Sequence, residues 1–231
     1  ENAMDSTDQF AYYATLEELD GVPSDVINAA KAGAQADGKE GYKLTLKIPS
    51  YLPVMQFAKS SALREKLYRA YTSRASDLGD PKLDNTPLMV DILKMREQEA
   101  KLLGFANFGA LSVEPKMAKS PQQVIDFLRE LAAKAKPYGE KDVQDLREYA
   151  SAELALTDPQ PWDWGYIGEH LKEARYAFSE QELKQYFPAP KVLAGLFRIV
   201  ETLFGVQIKR DQAPVWNDPV AFYRIERNGV S

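Results

Sequence analysis

The chain has 231 residues, of which 45% are hydrophobic and 27% charged, so it can form a sizeable core and has the composition of an ordinary soluble protein. A net charge of −5 and a pI of about 5.2 argue against a nucleic-acid-binding protein, and no apolar run approaches the roughly 18 residues of a membrane span. The absence of cysteine excludes disulfides, thiolate catalysis and cysteine-based zinc sites, and it agrees with the cytoplasmic location that we expect.

The first part of the chain is predicted to alternate strands with helices. Residues 8–14 mix aromatic and small side chains, which predicts a strand. A helix follows between Pro23 and Gly38. Residues 42–48 alternate apolar with polar side chains, as in a half-buried strand.

The middle of the chain is predicted to be helical. One helix runs from Thr86 to a stop at Gly104, and another begins at Ser120. We expect Pro137 to kink or break the second of these, because proline lacks an amide proton and clashes with the preceding turn. Further helices are predicted near residues 61–76, 140–156, 162–177 and 191–204.

Two more strands are predicted near residues 206–210 and 220–227. Asn228-Gly229 then gives a strong hairpin signal, and a hairpin needs a second strand. The sequence contains no such strand, so we expect the chain to be a piece of a longer protein. The predicted fold class is mainly α, multi-helical, with a small β-sheet.

The search for catalytic residues depends on His170, the single histidine. A zinc peptidase needs two imidazoles one helical turn apart, and hydrolase triads need a histidine base. Glu169 and Glu173 flank His170 and leave a metal site open in principle, but three ligands within a turn and a half do not easily point at one ion. We therefore favour a solvated helix surface. No catalytic or metal-binding residue is predicted, and substrate-binding residues are unknown.

Two other groups of residues contain side chains or glycines of the kinds found at binding sites. Asp77, Asp80 and Asp84 do not have EF-hand spacing and are interpreted as a solvated loop. Gly104 and Gly109 follow no strand in phosphate-binding register and are interpreted as helix terminators.

The aromatic side chains allow two interpretations. They could line a peptide-binding wall, since tyrosine offers apolar area and a hydroxyl, or they could pack the core, which we favour. The residues concerned are Tyr12, Tyr13, Tyr42, Tyr51, Tyr68, Tyr71, Trp162, Trp164 and Tyr166.

Several motifs, in order along nearly the whole chain, resemble the thimet oligopeptidase family of zinc metallopeptidases, especially its bacterial oligopeptidase A branch. They are GYKLTLKIPSYLPVM at residues 41–55, Leu63-Arg64-Glu65 with Tyr68, Arg74-Ala75-Ser76, Leu102-Leu103-Gly104-Phe105-Ala106-Asn107, Lys116-Met117-Ala118, Pro161-Trp162-Asp163, Tyr186-Phe187-Pro188 and Leu203-Phe204-Gly205.

This resemblance implies a cytoplasmic zinc metalloendopeptidase that cleaves short peptides in a channel between two largely helical lobes. In the family a His-Glu-x-x-His helix and a downstream glutamate hold the zinc, and this sequence contains neither. The resemblance therefore implies a central, mostly helical channel-wall region, residues 1–231, whose partners are peptide substrates and the missing remainder of the peptidase. We expect the isolated chain to be inactive and to bind no zinc, with neither nucleic acid nor membrane as a partner. The alternative is a non-catalytic helical module that binds peptides or proteins.

Overall fold

The computed structural model describes residues 1–177 and 179–230 and divides the chain into two units, Glu1–Tyr176 and Ala177–Ser231. The chain is mainly helical, as predicted. The predicted small sheet is two separate sheets, each of two antiparallel strands.

The first unit contains eight α-helices, two strands and a short 3-10 helix. In chain order they are α1 (Asn2–Gln9), β1 (Tyr12–Ala14), α2 (Ser24–Ala36), β2 (Tyr42–Leu44), α3 (Ile48–Phe57), α4 (Ser61–Thr72), the 3-10 helix (Pro81–Leu83), α5 (Thr86–Leu102), α6 (Phe108–Val113), α7 (Pro121–Glu153) and α8 (Trp164–Tyr176).

Both strands of the first unit are shorter than predicted. Residues 8 and 9 belong to α1, so only the second half of the predicted strand 8–14 is extended. The predicted strand 42–48 ends at Leu44, because the Thr45 amide donates to Ser50 Oγ at 3.0 Å instead of to a neighbouring strand. Lys47 is the N-cap of α3. Pro49 lies in the first turn of that helix, where proline is favourable.

The core of the first unit lies between its small sheet, α2, α3 and α4. Burial of these apolar side chains is the main force that holds the unit together. The buried cluster consists of Ala14, Leu19, Val22, Ala30, Leu44, Leu46, Tyr51, Val54, Met55, Ala58, Leu63 and Leu67.

Helix α7 is continuous from Pro121 to Glu153, so Pro137 does not break it. The N-terminus is capped by Ser120, whose Oγ accepts the Gln123 amide at 3.2 Å. Both α5 and α7 have a single buried residue each, Ala100 and Ala150. The apolar side chains of these two helices are therefore largely exposed.

The second unit contains α9 (Glu180–Lys184), α10 (Ala189–Phe204), β3 (Gln207–Asp211) and β4 (Phe222–Glu226). The strands agree with the predictions for residues 206–210 and 220–227 to within two residues. They pair in a register that runs from Gln207 opposite Glu226 to Asp211 opposite Phe222.

A tight turn follows β4. Asn228 and Gly229 have φ values of 52° and 79°, and Arg227 bridges to Val230. Positive φ at both central positions is the geometry of the hairpin turn that Asn-Gly predicts.

Within residues 1–177 and 179–230, no helix combines the length and apolar character needed to cross a membrane.

Candidate functional site

The single histidine lies on α8, which packs against α3. The His170 ring meets the Tyr166 ring edge-on with centroids 4.4 Å apart, and Nε2 is buried without a hydrogen-bond partner. Burial lowers the pKa of His170, against the opposing effect of Glu173 and Glu169. The imidazole is therefore neutral near pH 7.

Glu169 is also buried, which makes the solvated-surface interpretation of this helix segment wrong. Its carboxylate accepts hydrogen bonds from Gln56 Nε2 at 3.3 Å and from Lys172 Nζ at 2.8 Å. The packing of α8 on α3 covers this face of the helix, while Glu173 stays exposed.

These residues do not fit a hydrolytic zinc ion. One carboxylate is held by an amide and an ammonium group, and the imidazole nitrogen faces the protein interior. Among the described residues, no three His, Cys, Asp or Glu side chains are grouped so that they could hold a metal. A zinc peptidase site needs such a group, and the described residues around His170 do not supply one.

The most buried charges in the first unit are Arg64 of α4 and Asp163, which directly precedes α8. Their side chains are 1% and 3% exposed, and Arg64 Nη2 lies 2.6 Å from Asp163 Oδ1. The guanidinium also donates to the carbonyls of Ala58 and Lys59 and lies over the Tyr166 ring. Only its Nε lacks a partner.

Three further donors satisfy the Asp163 carboxylate or extend its network. Ser61 Oγ donates to Asp163 Oδ1 at 3.0 Å, and the Gln160 amide donates to Oδ2 at 2.9 Å. Trp162 Nε1 in turn donates to Ser61 Oγ at 3.0 Å. The network fixes the start of α8 to the start of α4, so it positions these two elements relative to each other.

The sequence did not identify Arg64 and Asp163 as a pair, because they are 99 positions apart. Two signals were nevertheless present. Arg64 stands between Leu63 and Leu67 on the apolar side of its helix, and both charges lie in motifs that carry the family resemblance.

The predicted acidic loop serves the turns between α4 and α5. Asp80 Oδ1 accepts the Lys82 amide at 2.9 Å, and Asp84 Oδ1 accepts the Thr86 amide at 2.8 Å. Asp77 and Asp80 are exposed, which confirms the solvated-loop interpretation for both, and Asp84 is half-buried.

The two glycines considered as helix terminators differ. Gly104 follows α5 with a φ of 81°, as a terminator should. Gly109 lies inside the first turn of α6, which Asn107 caps, so that prediction was wrong.

The aromatic residues nearest the core pack together. Tyr51 and Tyr71 stack with centroids 4.2 Å apart, Tyr68 and Trp162 tilt at 6.2 Å, and burial raises the pKa of Tyr51 to about 12. All four contribute to or contact the buried cluster. This supports core packing over a peptide-binding wall for these side chains.

A pocket of about 250 Å³ lies beside α1 and α4. Arg74 on its lining donates to Thr7 Oγ1 at 2.6 Å and to the Tyr71 carbonyl, and it stacks on the Tyr71 ring. The volume falls below the roughly 300–1,000 Å³ of small-molecule sites, and the cation is already engaged, so we assign no ligand to it.

Comparison with known proteins agrees with the resemblance seen in the sequence. Residues 54–230 match the model of peptidase family M3. The chain is 46% identical over 228 residues to oligopeptidase A of Salmonella typhimurium, which covers 97% of the chain and 34% of that protein. The corresponding figures are 45%, 97% and 34% for oligopeptidase A of Escherichia coli, and 44%, 89% and 31% for that of Haemophilus influenzae. The chain thus spans about a third of the length of the relatives it matches.

Proposed function

Because this chain belongs to peptidase family M3, we propose that it is part of a zinc-dependent, cytoplasmic oligopeptidase that hydrolyses short peptides. Within that enzyme it supplies a helical wall of the substrate channel and no catalytic group. The observation that carries the proposal is the identity of 44–46% to three bacterial oligopeptidases A, spread over nearly the whole chain.

The geometry of the first unit supports a structural role. Its most buried charges, Arg64 and Asp163, pair with each other, and the carboxylate next to its one imidazole pairs with Lys172. In this proposal the zinc and the peptide-cleaving groups belong to the remainder of the peptidase, which is the partner of this chain.

A chimera tests the proposal directly. The region of Escherichia coli oligopeptidase A that aligns with this chain is replaced by residues 1–231, and the hydrolysis of a fluorogenic peptide is measured with and without a chelator. We expect chelator-sensitive activity within about tenfold of the parent enzyme, because the replaced region positions elements and supplies no reacting group. A chimera that folds but hydrolyses no peptide would contradict the proposal.

The isolated chain provides the complementary measurement. We expect no peptide hydrolysis and no stoichiometric zinc by elemental analysis, since its one imidazole faces the protein interior. One zinc per chain, or hydrolysis that a chelator abolishes, would show that His170 does take part in a metal site.

The alternative function, a non-catalytic binding module, is favoured by one observation, the exposed apolar side chains of α10. Val192, Leu196, Ile199 and Leu203 recur at helical spacing and are 45–71% exposed. Saturable binding of short unstructured peptides to the isolated chain, together with an inactive chimera, would support this alternative.

A further inference from the structure

The turn after β4 contains the one asparagine of this chain that is followed by glycine, Asn228-Gly229. Both residues are exposed, and a Cβ added at Gly229 would meet no atom within 4 Å apart from its two chain neighbours. Asparagine is among the residues that heat damages most readily. At this turn its side chain and the following peptide bond are both open to solvent.

The damage is a reaction between the side chain and the main chain. The Gly229 amide nitrogen loses its proton and bonds to Asn228 Cγ, and the side-chain nitrogen of Asn228 leaves as ammonia with that proton. A cyclic succinimide results. Water then breaks the bond from the ring nitrogen to Cγ, which gives aspartate, or the bond to the main-chain carbonyl carbon, which gives isoaspartate. One ammonia leaves and one water enters, so no oxidant or reductant is needed.

The hydrogen bonds of the turn do not involve the attacking nitrogen. The Arg227 amide donates to the Val230 carbonyl at 2.8 Å, and the Val230 amide donates to the Arg227 carbonyl at 3.0 Å. Within residues 1–177 and 179–230, the Gly229 amide donates to no group. Its approach to Asn228 Cγ therefore breaks no hydrogen bond of its own.

Glycine gives this peptide the freedom to reach the reacting geometry. Asn228 and Gly229 have φ values of 52° and 79°, and the Gly229 nitrogen has to rotate toward the side chain before it reacts. Glycine adopts positive and negative φ about equally readily. An exposed turn held by two hydrogen bonds also belongs to the parts of a chain that open at the lowest free energy.

Most other asparagines are held by secondary structure or by their side-chain bonds. Asn28 lies inside α2, where helical hydrogen bonds hold the following amide. Asn85 Oδ1 accepts from Asn2 Nδ2 at 2.9 Å. Asn107 Oδ1 accepts the Ala110 amide at 2.9 Å. These contacts restrain both the side chain and the peptide that would attack it.

Asn217 is the informative comparison, because it is exposed in the same unit as Asn228. The residue that follows it is Asp218 instead of glycine. The Asp218 Cβ crowds the attacking nitrogen, and its carboxylate disfavours the negative charge that this nitrogen acquires on losing its proton. Exposure is thus shared by the two asparagines, and the following residue differs.

We infer that Asn228 is a site of spontaneous deamidation, which proceeds through a succinimide formed with the Gly229 nitrogen. The modification changes the net charge of the chain from −5 to −6. The new carboxylate lies next to Arg227, whose Nη2 donates to the Phe204 carbonyl at 2.8 Å, at the end of α10. Isoaspartate also lengthens the main chain within the turn. The inference concerns this turn alone and does not depend on the proposed function.

The test follows the isolated chain during incubation at pH 6 and at pH 8, with peptide mapping by mass spectrometry. We expect a mass gain of about 1 Da to accumulate at Asn228 at least tenfold faster than at Asn217, and faster at pH 8 because the attacking nitrogen has to lose a proton. Part of the product should be isoaspartate, which an isoaspartyl methyltransferase labels with a methyl group from S-adenosylmethionine.

Two glycine variants separate the chemistry from backbone strain. Gly229→Ala places a Cβ beside the attacking nitrogen, so we expect it to slow the modification of Asn228 at least tenfold. Gly205→Ala is the matched control, since Gly205 also has a positive φ, 62°, and a Cβ there meets nothing within 4 Å. It should leave the rate at Asn228 unchanged.

Three results would overturn the inference. One is a rate at Asn228 no higher than that at Asn217, which needs no variant and so remains decisive if Gly229→Ala does not fold. Another is a product that contains aspartate but no isoaspartate, because direct hydrolysis of the side chain forms no succinimide. The third is a Gly229→Ala chain that folds and is modified as fast as the parent.

Discussion

Among single residues, the buried pair of Arg64 and Asp163 has the largest predictable effect on stability. Both side chains are almost fully shielded from water, so removing one partner leaves an uncompensated buried charge. We expect Asp163→Asn to lower the free energy of unfolding by about 3–5 kcal/mol, measured by urea denaturation.

The control is an exposed pair on the same helix. Glu65 accepts from Arg69, and their side chains are 37% and 67% exposed. Solvent screens such a pair, so Glu65→Gln should cost less than about 1 kcal/mol. If Asp163→Asn and Glu65→Gln lowered the free energy of unfolding by the same small amount, the buried pair would stabilise the chain no more than the exposed pair does.

His170 makes the stability of the chain depend on pH. Burial lowers its pKa in the folded chain below the ordinary value of 6.5. Below pH 6.5 the unfolded chain therefore binds more protons than the folded one. The stabilisation is complete above about pH 6.5 and is lost as the pH falls toward the lower, folded value, with a slope of at most about 1.4 kcal/mol per pH unit.

The variant His170→Phe isolates this effect, because it keeps an aromatic ring against Tyr166 and removes the titrating group. The chain has one histidine, so no other imidazole contributes between pH 5 and 7. We expect the variant to have a flatter stability profile than the parent over this range. Identical slopes in urea titrations at several pH values would contradict the assignment.

The residue-scale predictions from sequence succeeded where local chemistry decides. The turn roles of Asp80 and Asp84 and the stop at Gly104 follow from side-chain and backbone preferences within a few positions. The burial of Glu169 and Arg64 depends on α3 and on Asp163, which are distant in sequence. Periodicity does not reveal such partners.

At the scale of elements, helices were better predicted than strands. Helix caps such as Ser120 and stops such as Gly205 act locally, and the observed ends lie close to them. Residues 42–48 do alternate apolar with polar side chains, and Leu44 and Leu46 are both buried. The backbone nevertheless leaves the sheet at Thr45, because Ser50 competes for its amide.

We expect the turn around Pro137 to be the weakest of α7, which is continuous through this residue. Proline is about 3 kcal/mol less favourable than alanine inside a helix, and glycine about 1 kcal/mol. We expect Pro137→Ala to slow amide exchange in residues 133–141 by at least tenfold. Gly139→Ala should have a smaller effect in the same direction, since a new Cβ there meets nothing within 4 Å.

The prediction depends on which of the two substitutions, Pro137→Ala or Gly139→Ala, slows amide exchange more. If Gly139→Ala slows exchange more than Pro137→Ala does, helix propensity does not limit the opening of this segment. Exchange that is unchanged in both variants would show that α7 opens elsewhere first.

For the whole molecule, the family could be predicted from ordered motifs, while the exposed faces could not. Helical spacing along α5 and α7 gives each helix an apolar face, and such a face ordinarily packs against a core. Most of these side chains, and those of α10, are exposed within the described chain, for example Leu88 at 54% and Leu203 at 71%. A periodic pattern shows which face of a helix is apolar. It does not show whether the surface that covers this face belongs to the same chain.

This exposure has a thermodynamic consequence for the isolated chain. An unfolded chain of 26.0 kDa exposes about 37,700 Å², so folding to 16677 Å² buries about 56% of it, compared with about 72% for a compact monomer. The heat-capacity change of unfolding scales with the surface that becomes exposed, most strongly with apolar surface. We therefore expect a value about a quarter below the usual 12–15 cal/mol/K per residue, summed by calorimetry over both units.

Calorimetry of Escherichia coli oligopeptidase A, normalised per residue, provides the reference, since in the proposed enzyme the exposed faces are covered. Its value should lie within the usual range, and that of the isolated chain below it. If the isolated chain reached the usual range as a monomer, its apolar faces would have to be buried in solution, and the exposure of Leu88 and Leu203 would not describe the isolated chain.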